Sequence, residues 1–356
     1  MFAIDFGARS IKVAKMIKTG NEYELDNFGA ILSPEDSIAN GEIINPIIVA
    51  DVLRDMIRES DIRDRRAIVA ITGQKVIIRE IIMPLMDNKE LLGSVMWEAP
   101  KYVPYDLDES IIDAKKVEEF KAKDGSMMMK ILLVATPKSM VTPYMEVLKK
   151  VKLIPKVVDI VSSANIRAFS HELLNEKSGE KKDGILIDVI LSIGASNTIF
   201  TLVEDGKLKF NRDILMGGNN ITNAIAKSLN ISFSEAEKLK RETAISADTG
   251  DKEKKINEAE KHILKVMNQI TKEVRKSLSY YKTQSQKVKY NKMIVSGGCS
   301  KINNIDKMLE EQFEIPIIIG NPLDGIRINE SRFDMNRIDN LKESLATVFG
   351  LAKRER

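Results

Sequence analysis

The stretch Ile4-Asp5-Phe6-Gly7-Ala8-Arg9-Ser10-Ile11 returns in outline as Leu191-Ser192-Ile193-Gly194-Ala195-Ser196-Asn197-Thr198. Each runs apolar, polar, apolar, then Gly-Ala, then two polar residues, then a second strand-like segment. A Gly turn between two strands leaves backbone N–H groups free to face a phosphate. An aspartate at such a turn can hold Mg²⁺, usually through water. Ser10 and Lys12 add a hydroxyl and a positive charge to the first turn. Two such turns facing each other across a cleft would grip a nucleotide's phosphates from both sides. Each opens a long half of the chain, but Gly-Ala turns are common, so the shared chemistry of the turns says more than a repeat would.

Two further glycine clusters follow, Met216-Gly217-Gly218-Asn219 and Val295-Ser296-Gly297-Gly298-Cys299-Ser300. Paired glycines let a backbone pass close to a ligand. The second cluster reads as strand, turn and helix, an arrangement that holds a nucleoside against a helix N-terminus. Strand-like and helix-like segments alternate along the chain, which argues for an α/β class. Ser110 to Phe120 and Met127 to Thr136 read as a hairpin over Lys123-Asp124-Gly125-Ser126, where Asp-Gly is a turn signal. Pro84 and Pro155 bracket this part, so 84–156 reads as an inserted subdomain. The polar run Asn175 to Asp183 reads as a hinge. Ile263, Met267, Ile270, Val274 and Leu278 mark a long amphipathic helix.

Composition narrows the function classes. A chain of 356 residues corresponds to roughly two domains. Lys+Arg total 55 against 52 Asp+Glu, a balance that argues against strong nucleic-acid binding. Cys299 is the single cysteine, so no intrachain disulfide can form, which suits a reducing cytosol. Two histidines, His171 and His262, make a histidine-rich metal site an unpromising reading. The N-terminus lacks the features of a secretory signal, and no apolar run approaches the roughly 20 residues of a membrane-spanning helix.

The segments DFGARSIKVAK (Asp5 to Lys15), SIGASNT (Ser192 to Thr198) and IVSGGCSKI (Ile294 to Ile302) resemble the two phosphate loops and the adenosine motif of the actin-like ATPase superfamily. Within it the chain resembles the PilM family of type IV pilus assembly, relatives of FtsA. That narrower resemblance rests on Val95 to Val117, Leu132 to Ile160, and Ile315 to Ile326. It implies an α/β actin-like, two-lobed fold with a nucleotide cleft and an inserted small α+β subdomain. The expected division is 1–83 with 157–182 for the first lobe and 84–156 for the insertion. The second lobe would have a core of 183–216 with 291–356, and a helical adenosine-side part at 217–290. The resemblance further implies ATP and Mg²⁺ binding with weak or no hydrolysis. The implied partner is the N-terminal cytoplasmic tail of a PilN-like bitopic membrane protein, held in a groove between the first lobe and the insertion. The protein would then sit at the inner face of the cytoplasmic membrane through that partner.

The resemblance assigns residues to these roles. Asp5 would hold Mg²⁺ through water, with Gly7, Ser10 and Lys12 near the β- and γ-phosphates. Gly194, Ala195, Ser196, Asn197 and Thr198 would form the opposite loop. Gly217, Gly218 and Asn219 would line the phosphate and ribose side. Glu237 and Lys240 would reach ribose or adenine; on a helix they share a face, which is equally the pattern of a surface ion pair. Gly297, Gly298, Ser300 and Lys301 would pack along adenine and ribose. Asp159 falls where relatives keep a water-polarising acid, though it also suits a helix N-cap. Trp97, Tyr102, Pro104 and Tyr105 would form part of the peptide-groove wall, or else the insertion's own small core. One position departs from the superfamily: Ser192 stands where the second loop usually carries Asp, and Asp188 lies four residues upstream. Losing an acidic contact to the metal weakens hydrolysis more than binding. Two other functions compete: an FtsA-like filament-forming division protein and a sugar-kinase-like phosphotransferase. The first usually carries a C-terminal amphipathic membrane helix, and no such extension follows the last helix here. The second needs a sugar-binding cluster, and the sequence shows none.

Overall fold

The computed structural model describes residues 1–174, 185–245, 254–284 and 288–354; the Asn175 to Asp183 hinge lies outside them. The chain opens with β1 (Phe2–Phe6), β2 (Ser10–Thr19), β3 (Glu22–Leu32), the short β4 (Ile38–Ala39) and β5 (Glu42–Ile43), α1 (Pro46–Glu59) and β6 (Arg66–Ile71). It continues with β7 (Ile77–Pro84), α2 (Asn88–Glu98), β8 (Ser110–Lys121), β9 (Met127–Pro137), α3 (Lys138–Lys150), β10 (Ile154–Ile160), α4 (Val161–Ala168) and α5 (Ser170–Leu174). The second half runs β11 (Ile185–Ile193), β12 (Thr198–Glu204), β13 (Lys207–Ile214), α6 (Gly218–Leu229), α7 (Phe233–Glu242), α8 (Lys254–Gln284) and β14 (Val288–Ser296). It closes with α9 (Ile305–Phe313), β15 (Ile317–Ile319), β16 (Ile326–Arg327), α10 (Met335–Asp339) and α11 (Ala346–Ala352).

The echo seen in the sequence is an echo of whole sheets. The first sheet has the order β10-β6-β1-β2-β3-β16 and the second β15-β14-β11-β12-β13. Pairings match strand for strand: β1–β2 and β11–β12 are antiparallel, while β1–β6 and β11–β14 are parallel. Both Gly turns therefore sit at the same place, where the central strand folds back on its neighbour.

Local chemistry sets the element ends. Asn45 caps α1 through its side-chain oxygen, and Pro46 takes the first turn, where its missing N–H costs nothing. Ser232 and Glu235 close a capping box at the start of α7. The α8 stripe of Ile263, Met267, Ile270 and Val274 is fully buried against the second sheet, as its 3.6-residue spacing requires.

Three boundaries differ from the sequence-based division. The small sheet, ordered β7-β9-β8, begins at Ile77, ahead of Pro84. Helix α3 does not belong with it: Val141, Tyr144, Val147 and Leu148 bury themselves in the first lobe's core beside Val49 and Leu53 of α1. The chain after β15 returns to the first lobe, where β16 pairs with β3. There Val348, Phe349 and Leu351 of α11 pack with Ala3, Ala14 and Ile68. Prolines mark breaks in the backbone, but burial decides to which core a helix belongs.

Candidate functional site

The two Gly turns face each other across a cavity of about 360 Å³. Their local geometry is shared. A Cβ on Gly7 would lie 2.8 Å from the Ser10 carbonyl oxygen, and one on Gly194 would lie 2.9 Å from that of Asn197. Either side chain would wedge its turn open. The chemistry differs. Asp5 and Lys12 stand opposite one another on β1 and β2, and the buried Lys12 ammonium lies 3.1 Å from the Asp5 carboxylate. In the second turn Ser192 stands opposite Ile199, so no charge pair forms. Ser192 lines the cavity. Asp188 does not; it pairs in register with Val203 and accepts a hydrogen bond from the Asn291 amide at 2.8 Å. The serine is thus the residue that the second loop offers.

Gly217 and Gly218 serve packing more than open access. The Gly218 and Asn219 N–H groups donate to the Gly194 and Ala195 carbonyls at 2.9 and 2.7 Å. The first turn of α6 thereby holds the second Gly loop in place. A Cβ on Gly217 would lie 2.6 Å from the Gly194 oxygen, and one on Gly218 2.7 Å from the Cys299 sulfur. Gly217 itself does not reach the cavity, whereas Gly218 and Asn219 do. Thr198 also stands behind the wall, donating to the Met216 carbonyl at 2.8 Å.

Glu237 and Lys240 are not a solvated surface pair. Both are buried, and the Lys240 ammonium donates to Glu237 at 2.6 Å and to the Thr222 hydroxyl at 2.9 Å. Burial works to raise the Glu237 carboxyl, but the Lys240 charge and the bonds from Lys240, Thr222 and Arg241 hold it below the ordinary glutamate value. Both line the cavity together with Arg241, which the sequence reading passed over.

Gly297, also in the lining, adopts φ +86°, and a Cβ there would lie 2.4 Å from the Ile193 carbonyl. Gly298 has nothing within 4 Å of the position of a Cβ, so its backbone faces open cavity. Ser300 is turned inward, donating to the Gly297 carbonyl at 2.8 Å. Lys301 reaches across to Asn340 and Glu343, drawing in a wall of Asn340, Leu341 and Ser344. Of the residues assigned to the nucleotide, only Thr198, Gly217 and Ser300 fall outside the lining.

One residue at the cleft had no sequence signal. Asp213, at the end of β13, accepts from the Gly73 N–H at 2.8 Å, the Thr72 hydroxyl at 2.9 Å and the Asn197 amide at 3.2 Å. It ties the end of β6 in the first lobe to the second Gly loop. Burial pushes its carboxyl above the ordinary aspartate range, against those three donors.

Asp159 is not in the nucleotide cleft. It is the penultimate residue of β10 and lines a separate groove of about 830 Å³. Its carboxylate binds Arg167 at 2.6 Å and also Arg354. Two charge partners leave it no freedom to polarise water in the cleft, and it is not the cap of α4, whose N-cap is Ile160. The groove lies between the small sheet (Ile111, Asp113, Lys115, Leu132, Val134, Thr136) and the first lobe (Val158 to Ile160, Arg167, Arg354).

Trp97, Tyr102, Pro104 and Tyr105 do not line this groove. The reason is the period of two along β9. Leu132, Val134 and Thr136 face the groove, while Met129, Ile131, Leu133 and Ala135 face the other way and are covered by Leu91 and Val95 of α2 and by Ala99 just beyond it. Tyr105 packs at the edge of that small core, and Trp97 projects outward at 85% exposure.

The two cavities share walls. Val161 of α4 and Thr347 of α11 line the nucleotide-sized cavity; Arg167 of α4 and Arg354, just beyond α11, line the groove. The helices cross in backbone contact: a Cβ on Gly350 would fall 1.8 Å from the Ala164 carbonyl oxygen.

Comparison with known proteins gives a consistent picture. A family model described as type IV pilus assembly protein PilM matches residues 3–356. A solved PilM-PilN type IV pilus biogenesis complex superposes with a TM-score of 0.82 at 23% identity, covering 99% of this chain and 97% of that one. The ethanolamine utilization protein EutJ from Carboxydothermus hydrogenoformans superposes at 0.55 with 14% identity, covering 99% and 88%. MreB 5 of Spiroplasma citri bound to AMPPNP superposes at 0.50 with 12% identity, covering 98% and 93%. Among curated proteins, the cell division protein FtsA of Buchnera aphidicola subsp. Baizongia pistaciae (strain Bp) is 27% identical over 183 residues. That match takes in 46% of this chain and 42% of FtsA, so it spans less than half the length of that relative. The fold is actin-like, of the two-lobed kind with a small inserted sheet. No helix among the described residues is long and apolar enough to cross a membrane.

Proposed function

The chain belongs to the PilM family of type IV pilus assembly proteins, and on that premise we propose that it is an ATP-binding scaffold that docks the cytoplasmic N-terminal tail of a PilN-like membrane protein. The observation that carries this reading is the pair of cavities that share α4 and the α11 segment as walls, one lined by the two Gly turns and the other lying between the small sheet and the first lobe.

The first cavity fits a nucleotide. Its two Gly turns hold backbone N–H groups on opposite sides, and the Gly298 backbone opens onto the space between. ATP phosphates would lie between Gly7 to Ser10 and Gly194 to Asn197. The ribose and adenine would lie between Glu237, Lys240 and Arg241 on one side and Gly297, Gly298 and Lys301 on the other. Asp5 would hold Mg²⁺ through water; among the described residues no cluster of three or more His, Cys, Asp or Glu offers a metal site of its own. When bound, the metal would neutralise phosphate charge. Ser192 brings no second carboxylate, and Asp159 is committed elsewhere. This favours binding over turnover, with the nucleotide holding the two lobes together.

The groove suits an extended peptide with apolar and polar side chains. Ile111, Leu132 and Val134 give it apolar surface, and Asp159, Arg167 and Arg354 add charge. A tail bound there would place the protein at the inner face of the membrane.

A fluorescence-anisotropy titration tests the reading, using a labelled peptide of the cytoplasmic N-terminus of a PilN-like bitopic protein. It is run with and without Mg-ATP. Saturable binding that is lost in Val134→Glu and retained in Trp97→Ala supports the groove. A dependence on Mg-ATP measures coupling through α4 and α11. Absence of binding in both conditions overturns the scaffold reading.

A further inference from the structure

The outer face of α2 has no role in either cavity. Leu92, Met96 and Trp97 are exposed at 49, 39 and 85%, and Leu85 and Tyr102 extend the apolar surface at 36% each. Soluble proteins tolerate scattered exposed apolar residues, but a contiguous patch on one element marks an interaction site. On a helical wheel Leu92, Met96 and Trp97 surround Gly93. Nothing lies within 4 Å of the position of a Cβ on Gly93. Packing inside this chain therefore does not require glycine there, and glycine costs the helix about 1 kcal/mol relative to alanine. What it provides is a notch that lets another backbone approach.

The charge around the patch selects the visitor. At the start of α2 the exposed acids Asp87 and Glu90 stand against one exposed lysine, Lys89. Lys101 is already paired with Glu98 at 2.6 Å. Trp and Leu beside lysines would suit an anionic membrane, but a predominantly acidic rim repels one. The same rim attracts cations carried on an apolar helix.

We infer that the outer face of α2 is a docking surface for a second protein, contributed as an amphipathic helix with a Leu-rich face bordered by Lys or Arg. The helix packs its apolar stripe over Gly93 between Leu92, Met96 and Trp97. Its cations meet Asp87 and Glu90. This surface lies on the opposite face of the small sheet from the tail groove, so the two sites are independent.

Trp97 is the only tryptophan in the chain, so its emission reports this surface alone. The probe is a helix-forming peptide of Leu and Lys without tryptophan, titrated into the full-length protein. The matched peptide of Leu and Glu serves as the charge control, and anionic phosphatidylglycerol vesicles as the lipid control. The expected result is a saturable blue shift with the Lys peptide, weakened by salt, and no shift with the Glu peptide or the vesicles. The double variant Glu90→Lys/Asp87→Lys should weaken binding of the Lys peptide at least about tenfold. Gly93→Leu should do the same by filling the notch, and both variants alter exposed positions that no core contains. A shift with vesicles would assign the face to membrane. A shift with protein concentration alone would assign it to a second copy of this chain. No shift with the Lys peptide, or equal shifts with both peptides, would also overturn the proposal.

Discussion

The two Gly turns are built alike and equipped differently. In both, a central strand folds back through a Gly-Ala corner, and a Cβ on the glycine would meet the carbonyl three residues on. In both lobes the neighbouring parallel strand ends in a glycine of positive φ, Gly73 at +126° and Gly297 at +86°. Yet the first turn carries Asp5 and Lys12 where the second carries Ser192 and Ile199. The Gly73 N–H is taken by the Asp213 carboxylate, the Gly297 N–H by the Glu343 carbonyl. The two turns share one backbone geometry, while the facing Asp–Lys pair stands in the first alone. On the proposed reading both lobes would grip the nucleotide, and only the first would organise a metal and a water.

The sharpest way to break this comparison is to remove the charge pair. Asp5→Ala would leave the buried Lys12 ammonium without its carboxylate. The expected loss is about 3 kcal/mol of stability, read as a lowered midpoint in urea unfolding. Ile199→Ala, at the position matching Lys12, should lose only a packing contribution of about 2 kcal/mol. If the two variants lose equal amounts, charge does not distinguish the turns.

The joint between lobes comes next. Asp213→Ala would strand the Gly73 N–H and cost about 2 kcal/mol, and it should loosen the lobes enough to weaken nucleotide binding in calorimetry. The same residue has a pH signature. Its folded-state pKa is raised by burial above the ordinary 3.8, so the folded chain binds this proton more tightly than the unfolded chain. Its contribution to stability is therefore greatest at low pH and falls as pH rises from about 3.8 through the raised value. Asp213→Asn should lack this fall, and the wild-type-minus-variant difference in unfolding free energy across that window checks it.

A smaller change should sharpen the comparison. Ser192→Asp restores the acidic residue to the second turn. Mg²⁺-dependent nucleotide affinity is expected to rise about tenfold, or about 1.4 kcal/mol, with phosphate release rising above that of the unmodified protein. Parallel titrations with Mg²⁺ and with EDTA measure it. The smallest effect expected is at Trp97→Ser, which should change stability by no more than about 0.5 kcal/mol, because the side chain touches no core.

Much of this architecture was legible in the sequence because its signals are local. The Gly-Ala corners, the Asp-Gly hairpin and the α8 stripe each lie within a few residues of one another, and backbone sterics or periodicity set their geometry. The two Gly turns that line the cavity were legible for that reason. Asp213 was not, because its partners Thr72 and Gly73 lie 141 and 140 residues away, and nothing around Arg212-Asp213-Ile214 marks it. Asp159 and Trp97 were misplaced for a related reason. Each was assigned by its position along the chain, and the side a residue faces depends on which core its element joins.

The sequence by itself determined the strand and helix inventory, the paired Gly turns, the family, and the absence of an acid at position 192. Tertiary structure alone decided that Glu237 and Lys240 are buried, that Asp213 joins the lobes, and that Asp159 belongs to the groove. It also decided that alternate residues of β9 separate the groove from the α2 surface. Short-range sterics act wherever the residues are adjacent in sequence. Burial and charge pairing act between neighbours in space, and only the folded chain creates those neighbours.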